Sequence, residues 1–286
     1  MRESVMTTAP HMSVSSDEIL YLLVDGSQVE QLAKQLYSIC GELNLEPIYL
    51  FEPYKALQSV SPYLIQATEP VKEWFLALNK PIAGYFFSSP LSLRRAAEKL
   101  RELIQAKSPY GSTVFVKMAN SECAHVLLST HTPHLWQAMN QAWLPTRDGW
   151  QHVMKPEWIQ AASNETHKFT DEQWQLMGKI TWRNHLEKIE THMLQWFPER
   201  HQQYFSQPQS LEEQAQGAYQ LGFTSERDLL LFFNVIGFLG LEVITSDQEY
   251  PEVHQLIHQT SQQTPSQRIE QAAELAFQYS QPQEKQ

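Results

Sequence analysis

Cysteine is scarce: Cys40 and Cys123 are the only two in 286 residues. Two thiols cannot build a disulfide framework or give four thiolates to a zinc ion. A reduced pair suits a reducing compartment, so the cytoplasm is the expected location. Basic charge is also in short supply, with 21 Lys and Arg against 32 Asp and Glu, a formal net charge of −11. Affinity for nucleic acid depends on cations displacing counterions from phosphates, so DNA or RNA binding is disfavoured. Long apolar runs are missing as well. The longest, Leu229–Leu241, is broken by Asn234, Gly237 and Gly240 and falls short of the roughly 18 residues a membrane span needs. Met1–Ser16 has one Arg and no apolar centre, which argues against a secretory signal, and residues 1–18 are expected to form a flexible leader. No G-x-G-x-x-G, P-loop, G-x-S-x-G or His-Glu-x-x-His motif occurs. What remains is ample apolar material, 42% hydrophobic and 11% aromatic, enough for a large core and too much for wholesale disorder.

The chain changes character partway along. Residues 1–150 carry 12 basic and 14 acidic side chains, whereas residues 151–286 carry nine and 18 and are rich in Gln. The irregular stretch Leu144–Lys168, with Pro145, Gly149 and Pro156, marks the expected boundary between two lobes. In the first lobe, over 19–145, short β-rich runs alternate with helical patterns. Ile19–Val24, Pro47–Phe51, Tyr63–Gln66, Ile82–Phe87 and Thr113–Met118 read as strands. Asp25-Gly26 ends the first of them, and Ser27 is placed to cap a helix with apolar positions Val29, Leu32, Leu36 and Ile39. Further helices are expected over Val71–Leu78 and over Leu91–Ile104, where the apolar stripe lies opposite the Arg and Glu residues. This alternation predicts an α/β lobe, a mixed or mostly parallel sheet with flanking helices.

No strand pattern stands out in the second lobe, over 165–280, which is predicted to be all-α. Thr170 and Gln173 make a capping box ahead of a long helix that Pro198 stops. Helices follow over Ser210–Leu221 with Gly222 as the terminating glycine, Ser225–Leu241, Pro251–Gln259 and Pro265–Tyr279, with a polar tail from Ser280. No repeat occurs at solenoid periods.

Eleven histidines invite a metal reading, but their spacing does not support it. His185 and His192 are seven apart on one helix, whereas zinc helices place ligands three or four apart; His125, His131 and His134 cluster near a helix start without a ligand pattern. Asp25 sits where α/β enzymes keep nucleophiles or magnesium ligands, yet no second Asp stands two residues on, and a turn role accounts for it. Cys40 and Cys123 lie in apolar periodic stretches and read as buried thiols. No catalytic residue, cofactor or metal is assigned. The aromatics are the remaining signal: Tyr54, Tyr63, Trp74 and Tyr85–Phe87 in the first lobe, and seven Trp from Trp136 to Trp196. Most are expected in the core, and some are expected to anchor a partner.

The order Tyr21-Leu22-Leu23-Val24-Asp25-Gly26, Pro47-Ile48-Tyr49-Leu50, Pro53-Tyr54, Leu57, Ser61-Pro62-Tyr63-Leu64-Ile65, Trp74, then Gly84 with Ser88 and Ser89 before the helix Leu91–Ile104 resembles the N-terminal domain of the type VI secretion effector chaperones, or adaptors. That family was first catalogued as a domain of unknown function. The resemblance spans roughly residues 19–130. It departs at Lys117–Cys123, where the family often has an aromatic, Asp, Pro and Arg. The resemblance implies a non-enzymatic protein that holds a toxic effector and helps load it onto the VgrG spike. Partner-binding residues are then expected at Asp25, Pro53, Tyr54, Tyr63 and Trp74, with the helical lobe selecting the individual cargo. Two other readings compete: an interaction module of another bacterial assembly, and a hydrolase-like enzyme using Asp25 with a histidine such as His125.

Overall fold

A computed structural model describes residues 5–39, 43–259 and 261–281. Cys40 therefore lies outside the described residues. The chain divides into two compact units, residues 1–180 and 181–286.

The first unit holds β1 (Ile19–Val24), α1 (Leu32–Tyr37), β2 (Leu45–Pro47), β3 (Tyr63–Gln66), α2 (Glu69–Ala77), β4 (Gly84–Ser89) and α3 (Leu93–Arg101). It continues through β5 (Gln105–Lys107), β6 (Thr113–Phe115), α4 (Ser121–Ser129), α5 (Pro133–Trp136), β7 (Gln141–Thr146) and β8 (Gly149–Met154). Six strands form one sheet in the order β2-β3-β1-β4-β7-β8, and β5 and β6 pair separately. This is the predicted α/β lobe, but every pairing between its strands is antiparallel. The reason is specific. β3 and β4 both run opposite to β1 and therefore parallel to each other, with α2 as the crossover between them. The strand-helix-strand alternation is real, but β1 occupies the gap and runs the other way, a split crossover. A strand-helix-strand pattern in sequence does not say which strand fills the gap.

The period of two divides the sheet's side chains between two cores. Tyr21, Leu23, Leu64, Tyr85, Phe87, Ala142 and Leu144 pack beneath α3, α4 and α5. Leu22, Val24, Ile65, Phe86 and Trp143 pack beneath α1 and α2. Covering both faces explains the unbroken burial of β4.

Five local expectations are revised. Residues 5–18, expected as a flexible leader, lie on the second core: Met6 is buried, and Val5 O and Ser13 O accept from Trp150 Nε1 and Gln141 Nε2. Ser27 does not cap α1, whose N-cap is Gln31 in the left-handed region; its hydroxyl goes to Asp25 instead. Pro47–Phe51 is strand only at Pro47, and Thr113–Met118 contributes only Thr113–Phe115, in the small sheet. Leu144–Lys168 begins not as an irregular boundary but as a hairpin, with Arg147 and Asp148 between β7 and β8. Gly149 has φ +119°, a conformation that side chains other than glycine resist.

The boundary between the units falls inside α6 (Asp171–Trp196). Its start carries the expected capping box: Gln173 N–H donates to Thr170 Oγ1 and Thr170 N–H to Gln173 Oε1, each at 3.1 Å. Beyond residue 180 the second unit is helical, as expected, with α7 (Pro198–Tyr204), α8 (Pro208–Gln220), α9 (Glu226–Leu239), α10 (Glu242–Thr245), α11 (Pro251–His258) and α12 (Pro265–Ser280). Helix α9 is central, burying Leu229, Phe232, Phe233, Val235 and Ile236. Gly222, at φ +97°, ends α8, with Phe223 N–H donating to Ala218 O. Buried Arg268 donates to four backbone carbonyls, those of Leu256, Ile257, Gln259 and Leu221, where α11 and α8 end. Those carbonyls carry the negative ends of the helix dipoles, which balances the buried cation.

Candidate docking face

The first unit exposes apolar side chains on the loop of residues 48–61 and on β6, and the turn after β1 anchors that loop. Asp25 is buried, its Oδ1 accepting from Ser27 N–H at 2.8 Å and Ser27 Oγ–H at 2.7 Å, while its own N–H donates to Ala83 O. Asp25 is therefore the turn former that its position after a strand suggested. At Gly26 an added Cβ would stand 2.2 Å from Ser61 O and 2.9 Å from Val60 C. Only glycine allows the β1 turn to press this closely on the end of the next segment.

That segment, residues 48–61, closes on itself at its base. Ile48 N–H donates to Pro62 O, Tyr49 N–H to Ser61 Oγ, and Ser61 Oγ–H to Pro62 O. Between these ends the chain turns at Phe51–Tyr54, with a cis peptide at Glu52–Pro53, and runs through a 3₁₀ turn at Lys55–Val60. A loop this short, packed on its own side chains, cannot bury them all. Phe51 is 61% exposed, Leu57 39% and Val60 41%, and Phe115 of β6 adds a ring at 51%. The rings of Tyr49, Tyr54 and Phe115 stand 6.0–6.5 Å apart in tilted and edge contacts. Arg101 fixes the other side: its guanidinium lies 5.2 Å over the Phe51 ring and bonds Glu46, Pro47 O and Ile48 O. Burial, reinforced by the Asp25 charge and by Tyr54, raises the pKa of the Tyr49 phenol, so it remains a neutral donor.

The expected partner-binding residues divide between two places. Asp25, Pro53 and Tyr54 belong to this face. Tyr63 and Trp74 do not; both pack against the core on the opposite side of the sheet, and Trp74 Nε1 donates to Gln35 Oε1 at 3.3 Å. Sequence reading missed Phe51, Leu57, Val60 and Phe115 as surface residues. The available signal was their lack of helical or strand periodicity around Pro53, which leaves apolar side chains with no element to bury them.

Other titratable groups of this unit are held by burial or pairing, while Tyr85 Oη and His134 Nδ1 are buried without a hydrogen-bond partner among the described residues. Burial pushes the Cys123 thiol up to about 12, so it is not a thiolate at neutral pH. Glu122, beside it, pairs with Arg147 at 2.5 Å. His125 is half-buried, and burial lowers its pKa. In the helical unit His192 Nε2 lies 2.6 Å from Asn234 Oδ1. Among the described residues no group of three or more His, Cys, Asp or Glu could hold a metal ion, and no helix is long and apolar enough to cross a membrane. The arrangement offers side-chain contact, with aromatic and aliphatic surface beside a fixed guanidinium, which is the composition of a protein-binding surface.

The family model described as "Domain of unknown function (DUF4123)" matches residues 20–138, which run from β1 through α5 and include the whole of this face. Over 277 residues the chain is 56% identical to "Accessory protein VasW" of Vibrio cholerae serotype O1, covering 96% of this chain and 94% of the relative. No solved structure matches.

Proposed function

The chain belongs to the DUF4123 family, and from that membership we propose that it is an accessory protein of a bacterial type VI secretion system, acting as an effector chaperone. It holds a toxic effector in the cytoplasm of the producing cell and helps bring it to the VgrG spike. It works by surface contact and transforms no substrate. The effector is gripped by the face made of Phe51, Pro53, Tyr54, Leu57, Val60 and Phe115, ordered from beneath by the Asp25–Gly26 turn.

The observation that carries this reading is that Phe51, Leu57 and Val60 are all exposed on one preorganised loop within the matched residues. Scattered single apolar residues on a surface need no explanation, but several on one short loop point to a partner. Rigid aromatic anchors lose little entropy on binding and dominate interface energies. The test is co-purification of the full chain with the products of its neighbouring genes, a toxin among them being the expected partner. Tyr54→Ala and Phe51→Asp are expected to weaken that complex about tenfold or more, the cost of losing a central aromatic anchor, while the circular dichroism spectrum stays unchanged. Trp74→Ala, on the other side of the sheet, is expected to lower stability and leave binding by the folded protein intact. Wild-type affinity in both face variants would count against the reading.

A further inference from the structure

The two edges of the six-stranded sheet are finished differently. β2, at one edge, is three residues long. Ile48 N–H donates to Pro62 O and Gln66 N–H to Asn44 O, so Asn44, Glu46 and Ile48 bond inward to β3, and Leu45 and Pro47 face out. Pro47 has no N–H to offer, and its carbonyl already accepts from Arg101 Nη2 at 2.8 Å. Glu46 pairs with the same arginine. Shortness, proline and charge together close this edge.

β8, at the other edge, has none of these devices. Its six residues, Gly-Trp-Gln-His-Val-Met, include no charge and no proline. Lys155 N–H donates to Asn140 O, so the inward-bonding residues are Gly149, Gln151 and Val153. Pro145 opposite Trp150 agrees, because a residue without an N–H fits a non-bonded pair. Trp150, His152 and Met154 thus direct N–H and C=O away from the sheet, and among the described residues no backbone partner meets them. Of their side chains, those of His152 and Met154 are exposed beside that edge, whereas Trp150 is half-buried and its Nε1 donates to Val5 O. His152 stacks on Trp143 at 5.0 Å, Trp150 stacks on Phe86, and Met154 is 68% exposed.

We propose that β8 is a β-augmentation site that takes an extended segment of the effector as a seventh strand, with backbone hydrogen bonds to Trp150, His152 and Met154. This rests on the chaperone reading and deepens it. The occupant's chemistry follows from the edge: a stretch of about six residues without proline at its inward positions, apolar at the alternate positions that land beside Trp150 and Met154. A second copy of this chain is the competing occupant, and the concentration dependence described below tells it apart from the effector. The aromatic loop follows β2, so five inter-strand spacings, about 24 Å, lie between the two edges. One cargo chain can meet both surfaces, and their contributions to binding are independent.

Amide hydrogen exchange on the full chain, alone and with the neighbouring toxin, tests this together with Met154→Pro. Proline at 154 removes one outward donor from a solvent-facing side chain and leaves the β7–β8 bonds in place. In the complex the amides of Trp150, His152 and Met154 are expected to slow, while those of Gln151 and Val153, already bonded to β7, serve as references. Met154→Pro is expected to bind about fivefold to tenfold more weakly with an unchanged thermal midpoint. Unchanged exchange at the three amides in a formed complex overturns the edge assignment, even if Met154→Pro weakens binding, and leaves the chaperone reading standing. Protection that appears with protein concentration and without toxin assigns the edge to a second copy and overturns the proposal. Failure of the wild-type chain to bind the toxin at all overturns both.

Discussion

The α/β unit and the helical unit solve the same problem with different materials. In residues 1–180 the critical contacts are backbone against backbone: the Gly26 turn on Ser61, Gly84 within reach of Leu23 O, and strands buried on both faces. In residues 181–286 they are polar pins set into an apolar core. Arg268 ties together the ends of α8 and α11, and Asp228 accepts from Ser266 to join α9 to the start of α12. The difference shows where each unit tolerates change. In the first, the tightest glycines press on backbone, at Gly26 and Gly84; in the second, Gly237 presses on the Phe197 ring, and the polar pins are what loss of a buried group would undo.

The largest test of this contrast is Arg268→Met. It leaves four carbonyls without their donor, each a loss of about 1–3 kcal/mol if buried. A loss of about 3 kcal/mol or more is expected, read by denaturant unfolding with exchange followed in residues 181–286. Equal weakening from a polar-to-apolar change at an exposed site would break the comparison. Gly26→Ala comes next, at about 1–3 kcal/mol for forced overpacking. It is also expected to loosen the aromatic loop and weaken toxin binding, whereas Arg268→Met acts through the other unit.

The smallest effect is on pH. Burial first, then the neighbouring His134, lowers the pKa of His167, against a weaker opposing bond from Gln173. The native state therefore binds its proton less readily than the unfolded chain. The stabilisation associated with neutral His167 is fully present above the ordinary histidine value of about 6.5 and is lost as pH falls from there through the lowered native value. Unfolding followed between neutral and mildly acidic pH is expected to show this slope, and His167→Gln is expected to flatten it. A slope unchanged by that substitution would remove His167 as its source.

Much of this architecture was legible because local signals were strong. The Thr170–Gln173 capping box, the Gly222 terminator and the apolar helix Glu226–Leu239 are each set by a few neighbouring residues, and all three stand where the sequence put them. Strand direction was not legible, because it depends on which distant strand enters the gap between β3 and β4. The β7–β8 hairpin was legible in principle: Asp148-Gly149 is a hairpin signal, masked by reading Pro145 and Pro156 as loop markers. The turn role of Asp25 could be read from its position after a strand, whereas Pro53 and Tyr54 entered through the family resemblance. The separation of Trp74 and Tyr63 from them could not be read, since strand alternation assigns a face only once the register is known.

The place of β1 in the middle of the sheet has a consequence for synthesis. Its neighbours come from Tyr63–Gln66 and Gly84–Ser89, so a nascent chain carries the apolar run Ile19–Val24 unpaired until about 42 further residues are made and paired on one edge only until about 65 are, some 3–13 s for the full set at ordinary elongation rates. Under the role proposed above, a chain that shields another spends its own first seconds in need of shielding.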